Sequence, residues 1–431
     1  MELAIKYKLD WLFLIDAFSQ EDMALAVYTS TNEDVFIMPF ISPFTKIRCP
    51  YCLKPFHPGD CAIVSTVDPN PNRVKVLRPA PLPKTPEYMR SRTWIEELTG
   101  PEFTAELAVR ACPNCHKALF ENIEMCDNIN IAIIGDVSSG KTNYIAVLID
   151  QLKRGVLMQS GNGHVRLMHL NRHTSETYRQ VYQQPILLTR TAVAGTARSS
   201  YDSAGRPTRA EPLVYQLSIQ DNATNINNTI NLLLYDISGE HFTNNTELVL
   251  FGEHVLRPDG IIYFADPMRM PNIHQQLPSY LQVASGGLNN SRVEEALANV
   301  MFAMERYNKI RAGGMIETPT AITVSKSDLL QYIIPPRERY QYLLMHTPYY
   351  DGRVHLNEVQ QIDQEVRFIL RQQGEEGLLQ TSRRFEQVSF FAIAATGNAP
   401  DQRGQYTRID PHRCLDPLIW LLWKLHFLET G

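Results

Sequence analysis

Eight consecutive residues, Gly135-Asp136-Val137-Ser138-Ser139-Gly140-Lys141-Thr142, constrain the chain more than any other feature. They follow an apolar run at 129–134 and precede a helical pattern over 143–154 that Gly155 ends. A strand, a glycine-rich turn and a helix in this order form the unit that wraps a phosphate chain. Gly135 and Gly140 let the backbone curl, so that amide N–H groups from Asp136 to Thr142, those of Ser138 and Ser139 included, converge on phosphate oxygens. The helix start adds its partial positive charge. Lys141 is expected to reach the β- and γ-phosphates and to act in catalysis, and the Thr142 hydroxyl is expected to ligate Mg²⁺. A random chain of this length shows the pattern only at about the one-per-cent level, and the strand-loop-helix setting makes chance rarer still.

What surrounds the motif predicts the fold class. From about residue 128, short apolar runs at 129–134, 213–219, 230–235, 261–265, 321–324 and 388–393 alternate with helical patterns. This predicts an α/β domain with a mostly parallel sheet and helices on both faces. The runs at 213–219 and 230–235 are joined only by the Asn-rich stretch 221–228, too short for a crossover helix, so they form one antiparallel strand pair. Ser291 and Glu294 predict a capping box for a helix that Gly313 ends. Asp416 with Pro417 predicts another helix start, with Trp420 and Trp423 as core or edge packing.

Three strand ends carry further chemistry. The run at 230–235 ends in Asp236-Ile237-Ser238-Gly239-Glu240. A carboxylate there is placed to hold Mg²⁺, and Gly239 offers an N–H that approaches a γ-phosphate with no Cβ in the way. The run at 321–324 ends in Ser325-Lys326-Ser327-Asp328. A carboxylate at Asp328 can accept N1–H and the 2-amino group of guanine, which adenine does not present in that geometry, and the Lys326 stem can lie along the base. The run at 388–393 ends in Ala394-Ala395-Thr396-Gly397, small enough for the Ala395 N–H to reach guanine O6.

This ordered set resembles the first, third, fourth and fifth boxes of the TRAFAC-class P-loop GTPases, related to the Ras-like fold. With the cysteine pairs Cys49/Cys52 and Cys112/Cys115 of a zinc ribbon ahead of it, the chain resembles the bacterial double-GTPase group. The resemblance implies GTP and Mg²⁺ as ligands and a regulatory switch, with a place in bacterial conflict or antiviral defence systems. Two departures stand out. Ser325 replaces the usual Asn of the base box, and Glu240 stands where Ras-like enzymes carry a water-orienting Gln. A carboxylate accepts a hydrogen bond from water but donates none, so hydrolysis is expected to be slow and partner-assisted. The stretch at about 160–212 must hold the first switch, with Thr189 expected to close over Mg²⁺ and Thr191 and Thr196 as rivals. No arginine finger is identifiable.

The seven cysteines include two matched pairs, Cys49-Pro50-Tyr51-Cys52 and Cys112-Pro113-Asn114-Cys115. Two such turns complete a tetrahedral Zn²⁺ site with no open position, which gives the metal a structural role. His57 and Cys61 are alternative ligands, and Cys126 and Cys414 read as neutral thiols. A redox role is disfavoured, because neither pair opens a helix in a βαβ pattern. The Pro-rich stretch 68–86 reads as a loop bearing Arg73, Lys75, Arg78 and Lys84. The expected organisation is therefore an unassigned segment 1–46, a zinc-ribbon module 47–127 and an enlarged G domain 128–431.

Charge and cysteine usage narrow the setting. A net charge of −5 excludes a global pull onto nucleic acid or anionic lipid, so a protein partner is favoured, with the basic loop leaving nucleic acid open. No apolar run reaches 18 residues, and Met1–Lys6 does not open a signal peptide. The odd cysteine count fits a reducing, cytoplasmic compartment. Two readings stand: a GTP-hydrolysing switch, and a nucleotide-binding scaffold with little or no turnover. A P-loop ATPase or kinase would need neither the Asp236–Glu240 motif nor the Ser325–Asp328 motif.

Overall fold

The computed structural model describes residues 25–29, 35–39, 46–65, 108–120, 123, 126–161, 163–193, 211–222, 226–236, 239–243, 248, 253–284, 292–308 and 313–431. Contacts divide the chain into two compact units, Met1–Cys49 with Lys54–Asn128, and Ile129–Gly431 with Pro50–Leu53. The basic loop 68–86, Ser291 and Thr196 lie outside the described residues.

In the N-terminal unit, β1 (Leu25–Thr29) and β2 (Val35–Pro39) pair antiparallel, which gives the otherwise unassigned segment 1–46 one strand pair. Two further short ladders join β3 (Ile47–Arg48) to β4 (Pro55–Phe56) and β5 (Ala62–Ser65) to β6 (Ala108–Ala111).

The larger unit is built on a seven-stranded sheet. Its strands are β7 (Asp127–Gly135), β8 (Gly163–His169), β9 (Leu213–Asp221), β10 (Ile226–Tyr235), β11 (Gly260–Ala265), β12 (Thr320–Val324) and β13 (Val388–Ala392). Their spatial order is β13-β12-β11-β7-β10-β9-β8. β13, β12, β11 and β7 run parallel, and every residue of β11 and β12 is buried. Strands covered on both faces in this way read as continuous apolar runs. The β9–β10 pair is antiparallel, as the short link predicts. β8 is an addition: it pairs antiparallel with β9 and exposes His164, Arg166 and Met168 on alternate positions of the sheet edge.

Helix α1 (Lys141–Lys153) leaves β7 through the glycine-rich turn, and its Tyr144, Ile145, Leu148, Ile149 and Leu152 enter the main core. Helix α2 (Arg172–Thr177) starts at Asn171, whose side chain accepts from the Thr174 N–H, and runs on as wide π-type turns over Tyr178–Leu188. Pro185 explains the widening. It has no N–H, and its ring crowds the carbonyl four residues back, so the α ladder gives way to longer bonds such as Thr189 N to Gln184 O. Helix α3 (Glu295–Asn308) begins at Glu295, with the Ala298 N–H bonded to Glu294 O.

Helix α4 (Leu356–Gln372) and helix α5 (Asp416–Lys424) complete the layers. α5 buries Leu418, Trp420, Leu421 and Leu422 in the same core. Each such side chain contributes roughly 1.5–3 kcal/mol. Asp416 does not cap α5. Its carboxylate accepts from Tyr350 and Arg413 instead, so the helix start is fixed by tertiary bonds. The sheet order reverses around β7, whose C-terminal end therefore opens on the crevice where doubly wound sheets bind ligands.

Candidate functional site

The glycine-rich turn has the backbone its residues allow. Gly140 sits at φ +96° and Ser138 at +63°, both in the left-handed region. A Cβ on Gly135 would lie 2.8 Å from Phe264 Cβ. Lys141 is buried and folds back over the turn, donating to Gly135 O and Asp136 O at 2.7 Å each. Burial lowers its pKa to about 8 against the opposing charges of Asp236 and Asp136. Asp136 faces Arg269 at 3.1 Å, and its own pKa is raised because burial outweighs that partner.

At the end of β10 the Thr142 hydroxyl donates to Asp236 Oδ2 at 2.9 Å. A hydroxyl and a carboxylate oxygen at this spacing are the hard donors that Mg²⁺ prefers. Gly239 is buried against the turn. A Cβ there would lie 2.2 Å from Val137 N, so any larger residue would displace the phosphate loop. Glu240 is exposed in the next turn.

A cavity of about 370 Å³ extends from the turn across the ends of β11, β12 and β13. Ser138, Ser139 and Gly140 line one end, and Ser325, Lys326, Asp328 and Ala395 line the other. Ser325 is buried, with its N–H and hydroxyl both bonded to Ala265 O. Lys326 sits at φ +49° and pairs with Asp266 at 2.6 Å. Burial raises the Asp328 pKa.

Five further residues at the site were not foreseen. Asp266 and Arg269 pin Lys326 and Asp136, while Asn143 donates to the Tyr406 hydroxyl across the cavity wall. Tyr182, from the π-type turns, donates to Asp236 Oδ2 at 3.1 Å. Its own hydroxyl pKa is pushed well above the ordinary value, first by burial and then by the Asp236 charge, so it stays a donor. Thr189 is not brought to the carboxylate. It is exposed, its hydroxyl donates to Pro185 O, and it lies 3.1 Å from that of Thr191. Asp266 carried a legible signal, a carboxylate at the end of an apolar run. Tyr182 carried none.

The sulfurs of Cys49, Cys52, Cys112 and Cys115 all lie within 4.8 Å of one another, and Cys49 and Cys115 are 3.8 Å apart. A tetrahedral zinc with bonds of about 2.3 Å separates its sulfurs by about 3.8 Å. The two turns share one design. Each first cysteine donates its N–H to a lysine carbonyl five residues on, Lys54 or Lys117, and the residue after each second cysteine, Leu53 or His116, has positive φ. The cluster suits zinc in geometry and donor type. His57 and Cys61 stand outside it. Cys414 is buried, and burial raises its thiol pKa far above the usual range, consistent with a neutral thiol.

No helix among the described residues is long and apolar enough to cross a membrane. A 333-residue match is 27% identical to SaeC of Mycolicibacterium smegmatis, named as a candidate ESX-1 scaffolding and assembly protein, covering 73% of this chain and 79% of that one. Among solved structures, a chain of the signal recognition particle receptor SRb-GTP/SRX complex from Chaetomium thermophilum is 15% identical. That match covers 64% of this chain and 94% of the other at a TM-score of 0.24. The family model for Double-GTPase 2 matches residues 129–399, which takes in the glycine-rich turn, Asp236, the stretch Ser325–Asp328 and most of the residues that line the cavity. With more than half of its length matched, the chain belongs to the Double-GTPase 2 family.

Proposed function

We propose that the protein is a GTP-binding and GTP-hydrolysing regulatory switch, with a G domain over 128–431 and a zinc-held module over 47–127 that docks a protein partner in a reducing cytoplasm. The carrying observation is that the glycine-rich turn, at whose end Thr142 bonds to Asp236, shares one cavity with Asp328: Ser138, Ser139, Gly140 and Asp328 all line it. The N–H groups of the turn and Lys141 would bind the phosphates. Asp328 would accept from guanine, and Ala395 would offer its N–H to the base oxygen. Mg²⁺, held through Thr142 and Asp236, supplies charge neutralisation across the β- and γ-phosphates when bound. Glu240 would accept a hydrogen bond from the attacking water, and the Gly239 N–H would face the γ-phosphate.

A second reading, a nucleotide-gated scaffold with little turnover, is favoured by the exposed Glu240 and by the scaffolding name of the mycobacterial relative. Single-turnover assays with GTP and ATP separate these. Expected is GTP hydrolysis with ATP at least tenfold slower. Tight GTP binding without turnover would favour the scaffold, and equal use of ATP would overturn the guanine assignment.

A further inference from the structure

Asp236 Oδ2 accepts from two hydroxyls on different elements, Thr142 at 2.9 Å from α1 and Tyr182 at 3.1 Å from the π-type turns. Tyr182 is held there firmly. Its ring is buried, stacks on Tyr178 with centroids 6.2 Å apart, and Tyr178 meets Tyr215 of β9 edge-on. The Tyr178 hydroxyl bonds to Ala146 O, so the segment is fastened to α1 as well. The segment's start is tied to the sheet through Thr174, whose hydroxyl accepts from Val214 N. A carboxylate gripped by two hydroxyls has its rotation fixed before a cation arrives, and groups that orient a metal's ligands in this way set its affinity.

We infer that Tyr182 is a positioning residue for the Mg²⁺-holding carboxylate, so that the helical insertion between β8 and β9, residues 172–188, and not the phosphate loop alone, sets how tightly the metal is retained. The inference rests on the reading of this site as a Mg²⁺-nucleotide site. It gives the insertion a role that needs no threonine over the metal. Any partner that displaces residues 178–188 removes the hydroxyl and loosens the metal.

The test is the release of a fluorescent GDP analogue from the full-length protein, measured against free Mg²⁺. Tyr182→Phe keeps the ring and removes only the hydroxyl. Its Mg²⁺ midpoint is expected to rise about tenfold or more, with the Mg²⁺-free release rate unchanged and the melting temperature lowered only by the few degrees that one lost hydrogen bond costs. An unchanged midpoint overturns the inference. So does a lowered midpoint, because Tyr182 would then compete with the metal. A shift in Tyr182→Ala but not in Tyr182→Phe assigns the effect to packing and also overturns it. Failure to bind the analogue overturns the nucleotide reading, wild-type release that ignores Mg²⁺ overturns this inference together with the assignment of Mg²⁺ to Thr142 and Asp236, and an unchanged Phe variant beside a Mg²⁺-dependent wild type removes only Tyr182.

Discussion

Two regions approach Asp236, and they are built differently. Thr142 comes from a turn in which backbone angles are dictated residue by residue, with Ser138 and Gly140 left-handed and Gly135 pressed on Phe264. Tyr182 comes from π-type turns that Pro185 opens, in a stretch without a motif, and it is placed by aromatic packing on α1 and β9. The first region is rigid by local geometry. The second is held by tertiary contacts, and a segment held in that way is the one a partner can move. Tight binding is therefore expected to depend on the turn, and its adjustment on the insertion.

The largest expected effect tests the turn. Lys141→Ala removes the buried ammonium that bonds to Gly135 O and Asp136 O. Two charge-assisted contacts to phosphate at about 1.5–3 kcal/mol each give a loss in GTP affinity on the order of 100-fold or more. Titration with a fluorescent GTP analogue measures it. Retained affinity would break the comparison, because binding would then owe little to the turn.

The same contrast explains what was legible in the sequence. The turn could be read because its geometry demands Gly, Lys and Thr at fixed spacing. Asp236 and Asp328 could be read because carboxylates at the ends of apolar runs face the crevice of such a sheet. Asp266 carries that signal too, although Pro267 after it is equally the mark of a helix start. The strand β8 gives little signal, because its apolar residues are only Val165, Leu167 and Met168, and Met168 beside Leu167 breaks the alternation. Tyr182 and Tyr406 could not be read at all. One depends on how far Pro185 widens the preceding turns, and the other on a loop that folds back so that Tyr406 N bonds to Arg190 O. Neither placement follows from the spacing of a motif. The cysteine turns were the easiest, since the spacing within each pair brings its two sulfurs together.

A smaller effect distinguishes the two regions by pH. Lys141 has its pKa lowered from 10.5 to about 8, chiefly by burial. Phosphate binds the charged form, so GTP affinity should hold below about pH 8 and then fall by up to about tenfold per unit. Binding should take up a proton in that range, which calorimetry in buffers of different ionisation enthalpy would detect. The sign for stability is opposite. Between about 8 and 10.5 the unfolded lysine binds the proton that the folded one has lost, so this group's contribution to the nucleotide-free fold rises with pH. Tyr182 stays protonated across this window, and its bond to Asp236 should not change. Affinity that is flat from pH 7 to 9.5 would show that Lys141 is charged throughout, and the turn would lose its pH signature.

The smallest effect is expected at Thr189, and it bears most directly on whether the insertion acts through Tyr182 alone. Thr189 is exposed and its hydroxyl is bonded locally to Pro185 O, 3.0 Å away. Removing a hydroxyl in such a position changes stability by at most about 0.5 kcal/mol. Thr189→Ala should therefore leave the melting temperature, the Mg²⁺ midpoint for nucleotide release and the single-turnover rate within about twofold of wild type. The resemblance to the Ras-like GTPases implies otherwise, because a threonine in this stretch should close over the metal. For Thr189 to do so the π-type turns would have to rewind, which would cost the stacking of Tyr182 on Tyr178 and its bond to Asp236. A fall in turnover of about 100-fold with unchanged GDP affinity would show that this rewinding happens when the γ-phosphate is present. The insertion would then alternate between Tyr182 on the carboxylate and Thr189 on the metal, and the two residues would mark its two states.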